Sequence, residues 1–113
     1  MRLWFVLFAL AIGLIAQNKG DKGDVNTRSV KGQVTDKAGS PITGAVVQLK
    51  DTKSLQIRSF YTQKDGQYHF AGLSSNIDYE LKADHNGASS GSKTLSSFNG
   101  KKVATVNLKL KKP

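Results

Sequence analysis

The sequence predicts an all-β domain, a seven-stranded antiparallel β-sandwich behind a short apolar leader. Three observations predict it. After residue 28, apolar and polar residues alternate with period two in one short run after another, the pattern of a strand with one buried face. Clusters of Asp, Asn, Gly and Pro separate those runs, and these residues favour turns. Outside the leader no window repeats its apolar residues at helical spacing. Many short one-faced strands bury their apolar sides most readily by packing two sheets face to face.

The leader comes first. Met1 and Arg2 form a short basic start, and Leu3 to Ala16 is apolar throughout. That run is shorter than the ~20 residues a helix needs to cross a bilayer, and it suits the apolar core of a secretory signal peptide. Residues 1–17 are therefore expected to be a signal peptide, with Ala16 before the cut and Gln17 after it. Leu14 stands where a small residue is usual, so a cut after Gly13, with Ala11 upstream, is the alternative. An uncleaved anchor or a buried strand is the competing reading of the segment. Residues 18–28 are polar, glycine-bearing and aperiodic, as in a flexible linker. The domain is then expected over 29–113. The implied location is secreted or periplasmic, with no stable membrane span once the leader is removed.

Each strand follows in turn. Val30, Gly32 and Val34 alternate with Lys31 and Gln33, and Asp36 to Pro41 is turn chemistry. Ala45, Val47 and Leu49 form the second alternation, closed by Asp51 to Ser54, and residues 55–63 form a third run rich in β-formers. Asp65-Gly66 predicts a tight hairpin turn of type I′. Tyr68, Phe70 and Leu73 come next, then a loop over 74–78. Tyr79, Leu81 and Ala83 alternate with Glu80, Lys82 and Asp84, and Asn86 to Ser92 is a Gly/Ser-rich wide turn. Lys93 to Phe98 is a weak strand, Asn99-Gly100 a second expected hairpin, and Val106, Leu108 and Leu110 the inward side of the last strand.

Composition narrows the function. The chain has 113 residues, no cysteine and a formal net charge of +9. Without cysteine there is no disulfide framework, zinc knuckle or thiol nucleophile, so packing and strand pairing must supply the stability. Arginine occurs only at Arg2, Arg28 and Arg58, and the other basic residues are lysine. Nucleic-acid readers rely on arginine forks and interleaved aromatics, so no nucleic-acid partner is expected. Scattered lysines more often keep a surface soluble and guard sheet edges, with attraction to acidic glycans, anionic lipid or nucleic acid as the alternative.

The run Val30-Lys31-Gly32-Gln33-Val34-Thr35-Asp36, followed by Gly39-Ser40-Pro41-Ile42-Thr43-Gly44-Ala45-Val46-Val47, resembles the opening of carboxypeptidase regulatory-like domains. Thr62-Gln63-Lys64-Asp65-Gly66-Gln67-Tyr68-His69-Phe70-Ala71-Gly72-Leu73 is similar to that family's second block, and Tyr79-Glu80-Leu81 sits where the family places Y-x-L. The family's usual Pro-Gly before that tyrosine is replaced by Asn76-Ile77-Asp78. The resemblance is good over residues 29 to about 85 and looser beyond. It implies a Greek-key, transthyretin-like (prealbumin-like) sandwich related to starch-binding-like folds, and an accessory rather than catalytic role. On the residues alone, Gly39 and Gly66 suit turns, Pro41 a strand edge, and Tyr79 a tyrosine corner whose hydroxyl bonds back to the chain.

Catalytic chemistry finds little support. His69 is expected on an outer sheet face and His85 near a strand end, too few and too far apart for the three or four ligands of a zinc site. No Gly-x-Ser-x-Gly elbow is present, and paired carboxylates for glycoside cleavage are poorly supplied, the one glutamate, Glu80, being expected on an outer face. No catalytic residue, metal ligand or cofactor is expected, and the chain is expected not to be an enzyme. Glycan recognition needs aromatic platforms with polar neighbours. Either Phe60 or Tyr61 must face outward by alternation, while Tyr61, Tyr68 and Phe70 read more simply as core. Phe60, His69 and Phe98 are the candidate contacts for an unidentified glycan or protein partner. A small secreted hydrolase is the third, weaker alternative. Ligand and oligomeric state are open at this level.

Overall fold

The computed structural model describes residues 26–111. The expected leader, its cleavage point and most of the linker lie outside the described residues. The elements are β1 (Thr27–Thr35), β2 (Val46–Asp51), β3 (Ile57–Tyr61), β4 (Gln67–Ser74), β5 (Tyr79–His85), β6 (Ala88–Ser89), β7 (Lys93–Leu95), β8 (Val103–Thr105) and β9 (Leu108–Lys109). They form two facing sheets. The first runs β4-β1-β8, with β9 also on β1, and the second runs β3-β2-β5-β6, with β7 also on β5. Because β8 and β9 follow one another along one edge of β1, and β6 and β7 along one edge of β5, the described residues form the expected seven lanes.

One lane departs from the expectation of antiparallel pairing throughout. β8 and β9 pair with β1 in parallel, Val30 opposite Ala104 and Val34 opposite Leu108. The last strand is also broken rather than continuous. At the break Val106 N–H donates to Lys31 O, and the Asn107 side chain accepts from Gln33 N–H in place of a backbone carbonyl. Val106 O is taken by the Tyr68 hydroxyl, which crosses β1 over Gly32 to reach it. A Cβ on Gly32 would lie 1.8 Å from that oxygen and 2.8 Å from the Tyr68 ring. Only glycine allows the close approach.

The core lies between the sheets. Val30, Val34, Tyr68, Phe70, Leu73 and Leu108 from the first meet Val47, Leu49, Leu81 and Leu95 from the second. Burying each such side chain contributes about 1.5–3 kcal/mol. Phe70 and Leu73, three apart, both reach the core because the β1–β4 register shifts between Arg28 and Val30, with Gly72 at φ 71°. This β-bulge re-aims the strand end.

Both expected hairpins are corners instead. Asp65 and Gly66 do take positive φ, 68° and 69°, as Asp-Gly favours. Yet β3 belongs to one sheet and β4 to the other, so the turn passes the chain across the sandwich. Asn99-Gly100 likewise joins β7 to β8 in different sheets, and neither residue has positive φ. The Asn-Gly hairpin that does form is Asn86–Gly87 between β5 and β6, inside the stretch expected to be a wide turn. A dipeptide sets local dihedrals, whereas which strands pair is decided by the apolar faces they must bury.

β1 begins at Thr27, so its first two residues come from the stretch expected as linker. Arg28 is 4% exposed. Its guanidinium donates to Ser74 O at 3.2 Å, Ser96 O at 2.8 Å, Asn99 O at 3.2 Å and Ile77 O at 2.8 Å. The arginine expected in the linker is thus the tie that holds two loops and a strand end together. Tyr79 behaves as expected, its hydroxyl accepting from Ser74 N–H at 2.8 Å.

Candidate functional site

β3 and β4 are the outer strands on the same side of the sandwich, joined by the Asp65–Gly66 corner. Alternation decides which aromatic faces which way there. Phe60 stands opposite Val47 and turns inward, and Tyr61 turns outward at 67% exposure. Of the three aromatics read as core, Tyr68 and Phe70 are buried and Tyr61 is not. Phe60 is half-buried and meets Phe70 edge-to-face, ring centroids 6.0 Å apart. Arg58 closes the same edge by donating to Ala71 O at 3.0 Å.

Phe60 and His69 come together in one groove of about 460 Å³ beside this corner. Gln63, Gln67, Lys31 and Lys64 supply polar groups around them, and Asp65 lies at the corner. His69 is exposed and cross-strand from Lys31, as its alternation predicts. Phe98 is not part of the groove. It sits at 96% exposure on the loop between β7 and β8, and the carbonyls of Ser96 and Asn99 on either side of it are held by Arg28. The expected trio is therefore a pair plus a separate exposed aromatic on a loop whose backbone Arg28 holds.

A second groove, of about 250 Å³, adjoins the first. Gln33, Thr105 and Asn107 line it together with Lys31 and Gln67, which also line the first groove. The first groove opens at the β3–β4 edge, where Tyr68 also lines it, and it meets the second, on the outer face of the β4-β1-β8 sheet, at Lys31 and Gln67. A third groove, of about 400 Å³, lies at the end of the sandwich where β1 finishes, between Asp36, Ile42, His85 and Leu110. His69 and His85 thus belong to different grooves. Among the described residues no three His, Cys, Asp or Glu side chains come together to hold a metal ion.

The buried polar groups act on the backbone. Thr62 Oγ1 accepts from Ala45 N–H at 2.9 Å and donates to Ile42 O at 2.6 Å. Ser90 Oγ accepts from Ala83 N–H and donates to Gly91 O. Burial pushes the Tyr68 hydroxyl well above the usual tyrosine range. The Asp51 carboxyl is held below its ordinary value chiefly by the Ser54 N–H it accepts, in the turn after β2. Sequence reasoning found Tyr79 and the Thr62 motif but missed Arg28. Its only local signal was a lone arginine beside a strand in a lysine-dominated chain.

The fold recurs in solved structures of low identity. The dioxygenase domain of a dioxygenase carbohydrate-binding protein fusion from Streptomyces sp. SirexAA-E superposes with a TM-score of 0.56 at 16% identity, covering 78% of this chain and 81% of that one. Catechol 1,2-dioxygenase from Acinetobacter radioresistens gives 0.60 at 15% identity, covering 83% of this chain and 54% of that one. The major pilin subunit BcpA of Bacillus cereus gives 0.59 at 12% identity, covering 77% and 30%. The chain therefore spans about half of that catechol dioxygenase and under a third of the pilin. At such identities the likeness is one of fold alone. No curated protein sequence matches the chain. The carboxypeptidase regulatory-like domain profile matches residues 29–111, which contain both sheets, the Thr62 turn and the tyrosine corner, and the chain belongs to that family.

Proposed function

We propose that this chain is an exported, non-catalytic module that works by interaction. The observation that supports this best is what its buried polar side chains do. Arg28, Thr62, Ser90, Tyr68 and Tyr79 all bond to backbone groups, so each is engaged in holding loops and strands. What faces solvent includes open grooves of mixed polar and apolar lining. The leader residues Leu3 to Ala16 support export.

Mass spectrometry of the protein recovered outside the cytoplasm tests the export half, with a new N-terminus near Gln17 expected. Intact Met1 in a membrane fraction would overturn it. Turnover assays of the pure protein on ester, peptide and glycoside substrates test the other half, and reproducible activity on any of them would sink the non-catalytic reading.

A second reading is favoured by the pairing of Phe60 with His69 and the amides of Gln63 and Gln67 in one groove. That arrangement suits a carbohydrate, an aromatic face flanked by hydrogen-bonding groups. Saturable binding to a polysaccharide that Phe60→Ala abolishes and Phe98→Ala leaves intact would assign the site to this groove.

A further inference from the structure

The two sheets carry charge differently. The second sheet mixes signs, with Asp51, Glu80 and Asp84 among Lys50, Lys82 and Lys93. The first has no acidic residue in any of its strands β1, β4, β8 and β9. Its outer face presents Lys31 at the centre, with His69 opposite on β4 and Thr105 opposite on β8. Lys109 lies farther along, cross-strand from Thr35. Lys93 reaches this side from the other sheet, its ammonium donating to Asn107 O at 2.9 Å. The carboxylates that border it are Asp65 at the corner, whose backbone carbonyl accepts from Gln33 Nε2, and Asp36, directly after β1.

This face holds the second groove, which joins the edge groove beside β3 through Lys31 and Gln67. A track with cations at intervals and amides between them fits a chain bearing both negative charges and hydroxyls. Lysine binds carboxylate and sulfate as a point charge, while Gln and Asn side chains serve hydroxyls as donor or acceptor. Nucleic acid fits less well, because the face has no arginine fork, and the phenyl ring beside it, Phe60 of β3, is half-buried against Phe70 rather than open for base stacking.

We infer that the outer face of the β4-β1-β8 sheet binds an acidic polysaccharide, one carrying carboxylate or sulfate groups, along the track centred on Lys31. This rests on the glycan reading of the Phe60–His69 groove and adds the charge of the ligand and the path it takes. Binding is steered by charge and weakens as salt rises.

The experiment measures binding of the full chain to polygalacturonate and chondroitin sulfate. Neutral amylose and cellulose oligomers, single-stranded DNA and phosphatidylserine vesicles are measured beside them. Lys31→Glu is compared with Lys82→Glu, which changes net charge equally but lies on the mixed-charge sheet, and Lys31→Gln is the milder variant. The expected result is saturable binding to an acidic glycan, weakened about tenfold or more by Lys31→Glu, less by Lys31→Gln, and little by Lys82→Glu. Equal losses in Lys31→Glu and Lys82→Glu overturn the inference, as does tighter binding to DNA or vesicles. Binding only to neutral glycans, lost in Phe60→Ala, overturns the acidic inference and leaves the glycan reading standing. Binding to no glycan of either kind overturns both.

Discussion

The two ends of the sandwich are held by different means. Where β1 begins, a single buried cation gathers Ser74, Ile77, Ser96 and Asn99, partners far from Arg28 along the chain. Where β1 finishes, the ties are several, and no single side chain carries them. Asp36 accepts from the N–H groups of Ala38 and Ser40, Thr62 bridges Ile42 and Ala45, and Gly66 fits beneath Val34 O. The first end depends on one residue that no local pattern marks. The second is distributed over several residues that each announce a turn. Damage should therefore be concentrated at one end and graded at the other.

The largest effect tests the first end. Arg28→Ala leaves buried carbonyls without their charged donor and should cost about 3 kcal/mol or more, read as a lower urea midpoint. Arg28→Lys should recover less than half, since a compact ammonium cannot reproduce the guanidinium's spread of donors. A loss below about 1 kcal/mol in the alanine variant would mean that the end is held some other way, and the contrast would fail.

At the second end Gly66→Ala should cost about 2 kcal/mol, because its Cβ would lie 2.5 Å from Val34 O at φ +69°. Gly39→Ala, at φ +92° but with nothing within 4 Å, should cost about half as much. Equal losses would show that backbone conformation alone, not the close approach, governs this end. Thr62→Val removes both hydroxyl bonds at nearly constant volume and should cost about 1–2 kcal/mol, measured by the same denaturation.

Tyr68 belongs to neither end and serves as an internal reference. Its folded pKa lies above the unfolded value near 10, so the unfolded chain loses this proton first. Its contribution is therefore flat below about pH 10 and declines above it by up to about 1.4 kcal/mol per pH unit. Tyr68→Phe should be less stable than the parent at neutral pH, and the gap should narrow as pH rises past 10. A gap that stays constant from pH 9 to 11 would contradict the role given to burial here.

The smallest effect returns to the first end, in the turn between β2 and β3. Leu55 is 63% exposed and sits at φ 67°, a conformation that costs a non-glycine residue about 1–2 kcal/mol. Leu55→Gly should raise stability by about 0.5–1 kcal/mol, the added freedom of the unfolded chain offsetting part of the relief. A loss instead would show that the exposed leucine packs against something the turn needs.

Much of the fold was legible from the sequence because burial repeats a simple period. The alternations of β1, β2 and β5 placed Val30, Val34, Val47, Leu49, Leu81 and Ala83 inside, where they are. Asp65-Gly66 gave the right dihedrals, yet it could not say that its flanking strands join different sheets. Asn86-Gly87, the hairpin that forms, was hidden in a Gly/Ser-rich stretch. The parallel lane was not legible, because it pairs the two far ends of the domain and nothing local encodes a partner so distant. For the same reason no local pattern marks Arg28. Of the candidate site, the outward His69 followed from alternation. That Phe60 joins it, while Phe98 stands apart, depends on which face of β3 meets β2.

The parallel lane also fixes an order of events. β1 is the middle strand of its sheet, and its second edge is filled by β8 and β9, the last strands to appear. A chain that emerges N-terminus first keeps its opening strand half-paired until residue 109 has arrived, and Arg28 has no loop to gather until Ser96 and Asn99 follow. Closure is thus a late event that joins the two ends of the domain, the kind of long-range step that slows folding. For a chain that is to cross a membrane, as proposed above, such lateness is useful, since the polypeptide stays threadable until nearly all of it is through.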